Sequence, residues 1–251
     1  MPLVYGRDKY GGIIHQLRIS RDFVDDRRSE IALAGHRKEF VMTATEITIG
    51  SLVNEYAQVH RKKRYGDTGW RSFPFILPHV LALQPRSIVD FGCGQSDLAL
   101  RLARRAMIGR IGLYDPAIPE LAEMPREQFN LLVNVDVLEH IPEEELDAAI
   151  AAMAAMADEA IVVIDTAPAK MHLSDGTNAH VSLHDEIWWL KRLQRSFPTM
   201  RPIVIGRRNR VGFKTFDQNL PDATAAILVR EAVRSRNFER LLRLLGLAPR
   251  L

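Results

Sequence analysis

Two acids flank a glycine-rich turn early in the chain, and their charges indicate what kind of ligand that turn could hold. A β-branched run is followed by Asp90, by the turn Gly92-Cys93-Gly94 and by a leucine-rich helical pattern, the order of a nucleotide-binding βαβ unit. Glycines permit left-handed backbone angles and close approach of a ligand. Asp97 stands where a pyrophosphate-binding G-x-G-x-x-G turn would have its third glycine. Both carboxylates disfavour a phosphate and favour a cationic ligand end, such as an amino group or a sulfonium.

Polar groups also follow two further predicted strands. Residues 111–114 read as a strand, and Asp115 lies about 20 residues beyond the turn, where an acid can accept both ribose hydroxyls of a nucleotide. A turn-forming Asp-Pro pair is the alternative interpretation. Residues 129–135 are nearly all apolar, which is typical of a strand buried on both faces, and a polar segment follows at 136–142. Because about 14 residues separate Asp115 from this strand, the third βα unit must be reduced to a loop or a single helical turn.

The remaining patterns complete an α/β chain in three parts. We predict an N-terminal extension or lid over 1–50, a core domain over 51–217 and a helical extension over 218–251. The predicted elements of the last two parts are helices at 51–65, 143–157 and 222–245, a strand at 160–164, and an antiparallel hairpin of 199–205 and 211–216.

Composition limits the classes of protein to consider. The chain has 251 residues, 47% hydrophobic and 26% charged, as expected for a globular protein. Its single cysteine, Cys93, rules out an intrachain disulfide and suits a reducing compartment, so we expect a cytoplasmic location. No secretory leader and no membrane-spanning run is recognisable, so no membrane association is expected. A net charge of +3 permits an anionic substrate without requiring one.

Basic and histidine-rich segments suggest further ligands. The run 60–64 and five arginines of the final helix could meet nucleic acid, but solvated helix faces are the favoured interpretation. The leucines of that helix suit docking or a homodimer. His172, His180 and His184 are spaced by eight and four residues without a nearby cysteine or acid pair, so no metal site is expected.

Four motifs in order resemble a bacterial and phage group of class I S-adenosylmethionine-dependent methyltransferases. They are DFGCG at 90–94, YDPAIPE at 114–120, DVLEHI at 136–141 and DGTNAH at 175–180. The resemblance covers roughly residues 60–195. With the short third unit, it implies a doubly wound, mostly parallel sheet of the seven-strand type, ending in an antiparallel hairpin.

The resemblance also implies S-adenosylmethionine as the cofactor, bound across the strand tips. Residues 90–95 would wrap its methionine and ribose parts, Asp136 and Val137 would lie beside the sulfonium, and Arg71 would meet the carboxylate. Adenine would rest on residues 116–118, because the short third unit removes the acidic clamping loop of longer methyltransferases. The expected cofactor-binding set is Arg71, Asp90, Gly92, Cys93, Gly94, Gln95, Asp115, Pro116, Ala117, Ile118, Asp136 and Val137.

The predicted function is O- or N-methylation of a small polar metabolite or sugar. Methyl transfer from a sulfonium is an in-line displacement that depends on positioning, and the acceptor must lose a proton to a base. His140 is the first candidate base and His180 the second, while Glu139 could orient the base or the substrate. A histidine that merely caps a helix is the alternative for His140.

Two other functions stay open. The basic segments motivate a nucleic-acid or nucleotide modifier, although the Asn/Asp-Pro-Pro-Tyr tetrapeptide of amino-methylating DNA enzymes is missing from the sequence. A cofactor-binding protein without transferase activity is the other alternative.

Overall fold

The computed structural model of the protein describes residues 52–62, 66 and 68–245. The predicted extension over 1–50 lies outside the described residues, as do Lys63 and Arg64 of the basic run.

One mixed sheet forms the centre of the molecule. Its strands are β1 (Ser87–Phe91), β2 (Arg110–Tyr114), β3 (Phe129–Val135), β4 (Ala157–Asp165), β5 (Arg201–Ile203) and β6 (Arg210–Lys214). The order across the sheet is β2-β1-β3-β4-β6-β5. Strands β1 to β4 are parallel, whereas β6 runs antiparallel to both β4 and β5. The predicted fold class, a mostly parallel α/β sheet with an antiparallel hairpin, is confirmed.

The sheet has six strands within the described residues, where a seven-strand type was expected. Between β2 and β3 the chain forms only the 3-10 turn Pro119–Leu121. The predicted shortening of the third unit is therefore present, and the unit contributes no strand because the connection is too short for one.

Helices cover both faces of the sheet. They are α1 (Val53–Lys62), α2 (Phe73–Leu83), α3 (Leu98–Ala106), α4 (Glu143–Met156), α5 (Glu186–Leu193) and α6 (Asp222–Leu244). Leu132 of β3 packs with residues of α4 and α5, while its neighbours Leu131 and Val133 pack with residues of α2 and α3. Burying each such side chain contributes about 1.5–3 kcal/mol, so the strands form a rigid base for the loops at their carboxyl ends.

The last helix, α6, packs against α2. The Arg101 guanidinium of α3 donates to both carboxylate oxygens of Glu239 at 2.7 and 2.8 Å. This bidentate pair holds α6 near the start of α3. No helix within 52–62 and 68–245 is both long and apolar enough to cross a membrane.

Candidate active site

A cavity of about 270 Å³ opens at the carboxyl ends of β1, β2 and β3. From β1 the chain proceeds to β2 on one side, while β3 lies on the other side of β1. Such a reversal is the switch point at which open α/β sheets bind their ligands. We call this space the donor cavity.

The glycine turn forms one wall of the donor cavity. Gly92 and Gly94 both line it and have φ angles of 74° and 52°. A Cβ on Gly92 would lie 2.6 Å from the methyl carbons of Val137, and one on Gly94 would lie 2.8 Å from the Gly66 carbonyl oxygen. The Gly92 N–H donates to the Tyr114 carbonyl at 2.7 Å. Only glycine therefore fits at these two positions, for reasons of both backbone conformation and space.

Asp115 joins the glycine turn to the loop after β2. Its Oδ2 accepts a hydrogen bond from the Gly94 N–H at 2.8 Å, and its Oδ1 accepts one from the Ala117 N–H at 2.9 Å. The carboxyl group lines the cavity beside Pro116 and Ala117. Each carboxylate oxygen can accept more than one hydrogen bond, so the group can still accept ribose hydroxyls.

Asp90 is a buried carboxyl group in β1, just before the turn. Its side chain is only 2% exposed, and its Oδ2 has no hydrogen-bond partner among the described residues. Burial, helped by the negative charge of Asp115, raises the pKa of Asp90 to about 7. A nearby cation would stabilise the ionised form of this carboxyl group.

Besides Asp90, four residues of the expected cofactor-binding set do not line the cavity. Cys93 is buried and does not line the cavity; burial and then the charges of Asp90 and Asp115 raise the pKa of its thiol. Gln95 is exposed, and Ile118 does not line the cavity. Arg71 lies in a separate cleft.

At the end of β3, Asp136 and Val137 also line the cavity, with Val137 next to Gly92 of the turn. Asp136 has a φ of 57°, and its carboxylate pairs with Arg210 at 2.9 Å and Arg207 at 3.3 Å. Arg210 also pairs with Asp165 at the end of β4, at 2.7 Å. Two arginines therefore compensate the charge of Asp136.

The three predicted catalytic residues lie close together: His140 and His180 line the cavity, and Glu139 is buried beside them without lining it. The ring centroids of His140 and His180 are 4.7 Å apart, and both rings line the cavity. Burial lowers the pKa of His140 to about 4, and the neighbouring His180 adds to this effect. Glu139 is fully buried, and its pKa is raised well above the usual value by burial first and Asp136 second.

Helix α1 and the loop after β4 cap the cavity. The Tyr56 hydroxyl donates to the Ala179 carbonyl at 2.9 Å and lies 2.9 Å from Nδ1 of His140. Tyr56 and His60 both line the cavity, and burial lowers the pKa of His60. The sequence predicted the helix from its apolar face but carried no signal that this face closes a ligand site.

A second space of about 580 Å³ lies beside the donor cavity, and we call it the arginine cleft. Its arginines come from the segment before α2, from the β5–β6 connection with the first residue of β6, and from α6, namely Arg71, Arg207, Arg208, Arg210, Arg236 and Arg240. Burial lowers the pKa of Arg207 and of Arg236, and neighbouring arginines lower both further. Arg210 lines both spaces. Sequence reasoning placed the α6 arginines on a solvated face and missed this convergence.

No family model matches the sequence, and no curated protein sequence matches it either. Solved structures with a similar fold include magnesium protoporphyrin IX methyltransferase from Synechocystis with bound S-adenosylmethionine, at 16% identity and a TM-score of 0.43, covering 66% of this chain and 85% of that one. Human N-acetylserotonin methyltransferase in complex with S-adenosylmethionine has 12% identity and a TM-score of 0.47, covering 66% of this chain and 57% of that one.

An O-methyltransferase family protein from Burkholderia thailandensis has 10% identity and a TM-score of 0.40, and the match spans 60% of this chain and 57% of that chain. All three TM-scores lie below 0.5. The function of this chain is therefore inferred from the geometry of its own site.

Proposed function

We propose that this protein is an S-adenosylmethionine-dependent methyltransferase that modifies an oxygen or nitrogen of a small polar acceptor. The observation that carries the proposal is the wall of the donor cavity. It combines two glycines at positive φ, the acid Asp115 after β2, and the apolar Pro116 and Ala117.

These residues fit an adenosyl ligand with a cationic end. Asp115 would accept the ribose hydroxyls, and Pro116 and Ala117 would contact the adenine. The glycine turn lets backbone approach the ligand, and the carboxylates of Asp115 and Asp136 line the cavity where a cationic ligand end would lie. A pyrophosphate would instead meet these carboxylates, which is unfavourable.

When bound, the cofactor supplies an electrophilic methyl group, whose transfer forms a bond to the acceptor, breaks the C–S bond and leaves the electron pair on sulfur. The chain's own residues must orient the acceptor and remove its proton. The cavity-lining groups that suit this role are His140 and His180. As a base, either imidazole would take the acceptor proton on a ring nitrogen.

The arginine cleft favours an acceptor with anionic oxygens. Within the part of the chain that the structure describes, Arg71, Arg208, Arg236 and Arg240 form no ion pair with a carboxylate. Guanidinium groups bind phosphate and carboxylate oxygens in a bidentate manner. Because the cleft has the volume of a small-molecule site, we propose a phosphate- or carboxylate-bearing metabolite as the acceptor, in preference to nucleic acid.

Calorimetric titration with S-adenosylmethionine, S-adenosylhomocysteine and NAD tests the cofactor. We expect binding of both adenosyl ligands, binding weakened at least about tenfold in Asp115→Ala, and no response to NAD. Glu123→Ala is the matched control, since this acid follows β2 but is highly exposed. Binding of NAD, or no adenosyl binding by folded protein, would contradict the proposal.

A further inference from the structure

Glu139, His140 and His180 form a cluster with the composition of a metal site. Each can offer one ligand atom, and these atoms lie within 4.8 Å of one another. Glu139 and His140 belong to the 3-10 turn that directly follows β3, and His180 lies in the loop after β4. Since β3 and β4 are parallel neighbours, their following loops meet at the same edge of the sheet.

Backbone carbonyls orient both imidazoles. Nδ1 of His180 lies 2.5 Å from the Ala167 oxygen, and Nδ1 of His140 lies 2.9 Å from the Ala179 oxygen. A ring N–H that donates to a carbonyl fixes the tautomer in which the other nitrogen, Nε2, carries the lone pair. Metal-binding histidines commonly have this arrangement, because it presents the lone pair in a fixed direction.

Glu139 supplies an oxygen that the described protein leaves unsatisfied. Its side chain is fully buried, and its Oε1 accepts a hydrogen bond from the Asp165 N–H at 3.1 Å. Its Oε2 has no hydrogen-bond partner among residues 52–62, 66 and 68–245. An unpartnered buried carboxylate oxygen is costly, and a bound cation would remove that cost.

We propose that Glu139, His140 and His180 bind one divalent transition-metal ion at the wall of the donor cavity that the two histidines line. Two imidazole nitrogens and one carboxylate oxygen suit ions from Mn²⁺ to Zn²⁺, whereas Mg²⁺ and Ca²⁺ prefer all-oxygen ligand sets. Three protein ligands leave coordination positions open, as in catalytic rather than structural metal sites. Both histidines line the cavity, so those positions lie beside the space for the methyl donor.

The role of the ion rests on the proposed function, whereas its binding does not. An acceptor hydroxyl bound at an open position would lose its proton to water more readily. Its oxygen would then form the bond to the methyl carbon as the C–S bond breaks and the electron pair goes to sulfur. An imidazole nitrogen that binds the ion cannot also act as a base, since both roles use the same lone pair. With the ion bound, the acceptor proton therefore goes to water and not to His140 or His180.

Metal titration of the chelator-treated full chain tests the site. Zn²⁺ affinity is measured by competition with a chromophoric chelator, and Mn²⁺ binding by electron paramagnetic resonance. We expect one ion per chain and a loss of at least about 100-fold in affinity in Glu139→Gln and in His180→Ala, since changing even an outer-shell partner of a metal ligand costs about 10–100-fold. His184→Ala is the matched control, because His184 lies in the same loop but pairs with Glu143 at 3.0 Å.

Unchanged metal affinity in both cluster variants, an equal loss in His184→Ala, or no ion bound by folded wild type would overturn the proposal. Circular dichroism and S-adenosylmethionine titration of the same samples show whether each variant is folded. Metal binding without cofactor binding would contradict the methyltransferase function alone. Cofactor binding without metal would contradict the metal site alone.

Discussion

The donor cavity and the arginine cleft share Arg210 but are built in different ways. Much of the cavity wall consists of residues that come directly after three neighbouring parallel strands. The shape of this wall depends on backbone positions such as Gly92 and Gly94. The arginine cleft consists mainly of long cationic side chains from three separate segments. A motif of a few residues can therefore encode much of the first site, while the second exists only after the chain has folded.

The two spaces also have opposite electrostatics. The buried or half-buried carboxylates of Asp115 and Asp136 line the donor cavity. Guanidinium groups that repel one another line the cleft. The ion pair between Asp136 and Arg210 lies at the boundary. We infer that a cationic ligand end and an anionic acceptor group are held on opposite sides of this pair.

The largest expected effect is loss of the ligand when the shape of the glycine turn is changed. In Gly92→Ala, the new Cβ meets Val137 at 2.6 Å at a φ of 74°, so we expect calorimetry to detect no adenosyl binding. Gly176→Ala is the control, because Gly176 also has a positive φ, of 86°, but no atom within 4 Å of the added Cβ. Gly176→Ala should lose about 1–2 kcal/mol of stability from the strained backbone. Gly92→Ala should lose more because of the added contact with Val137, and only this variant should lose the ligand. Equal retention of binding by both variants would show that the turn does not shape the site.

Next in size is the pH dependence that Asp90 gives to stability. Its pKa is about 7 in the folded protein against a usual value of 3.8, so the folded state binds the proton more tightly. The corresponding stabilisation, roughly 4 kcal/mol, is complete below about pH 4 and is lost as the pH rises through about 7.

Denaturant unfolding of wild type and Asp90→Asn between pH 4 and pH 8 measures this effect. In Asp90→Asn, the free energy of unfolding should not show the part of its fall with rising pH that Asp90 causes. Glu123→Gln, at a highly exposed position, should behave as wild type. Parallel pH profiles for wild type and Asp90→Asn would show that Asp90 ionises normally in the folded protein.

A third prediction tests whether the cleft is independent of the cavity. Arg208→Ala combined with Arg240→Ala should weaken binding of inorganic phosphate about tenfold and leave S-adenosylmethionine affinity unchanged. Both side chains are exposed and line the cleft, whereas Arg234, the control, is exposed on α6 outside it. Equal loss of both ligands would show that the two spaces form one site. Tight, salt-sensitive retention of RNA or DNA, lost in the double variant, would favour the nucleic-acid alternative instead.

The smallest effect concerns the cap over the cavity. Tyr56→Phe removes the hydroxyl that bonds to the Ala179 carbonyl, so we expect unfolding to cost about 1 kcal/mol less. Cofactor affinity should fall only a few-fold, and phosphate affinity should not change. Thermal unfolding measures the change in stability, and calorimetry of the same preparation measures the two affinities. A weakened affinity for phosphate would show that α1 contributes to the arginine cleft as well.

Local sequence patterns predicted most of the sheet and the identity of the glycine turn. The apolar run of β3, the short connection before it and the acid at 115 are visible as patterns because burial and strand spacing leave a periodic signature. The same patterns could not say which side of the turn each residue faces. In the structure Cys93 is buried and Gln95 is exposed, and neither lines the cavity, so their contact with the ligand stays a prediction.

Pairing of distant segments decided the rest. His140 and His180 are 40 residues apart in sequence, and the parallel register of β3 and β4 brings their loops together. Histidines that are close in sequence do not form this cluster. His172 and His184 lie in the same loop as His180 but do not belong to the group of Glu139, His140 and His180.

The sequence by itself therefore determined the strand order along the chain, the glycine turn and the acids that follow the strands, because these depend on neighbouring residues. Only the tertiary structure decided which polar side chains share a cavity, which arginines converge and which carboxylates lose their contact with water. Those properties depend on the approach of segments that local propensity does not relate, and on the burial that follows from it.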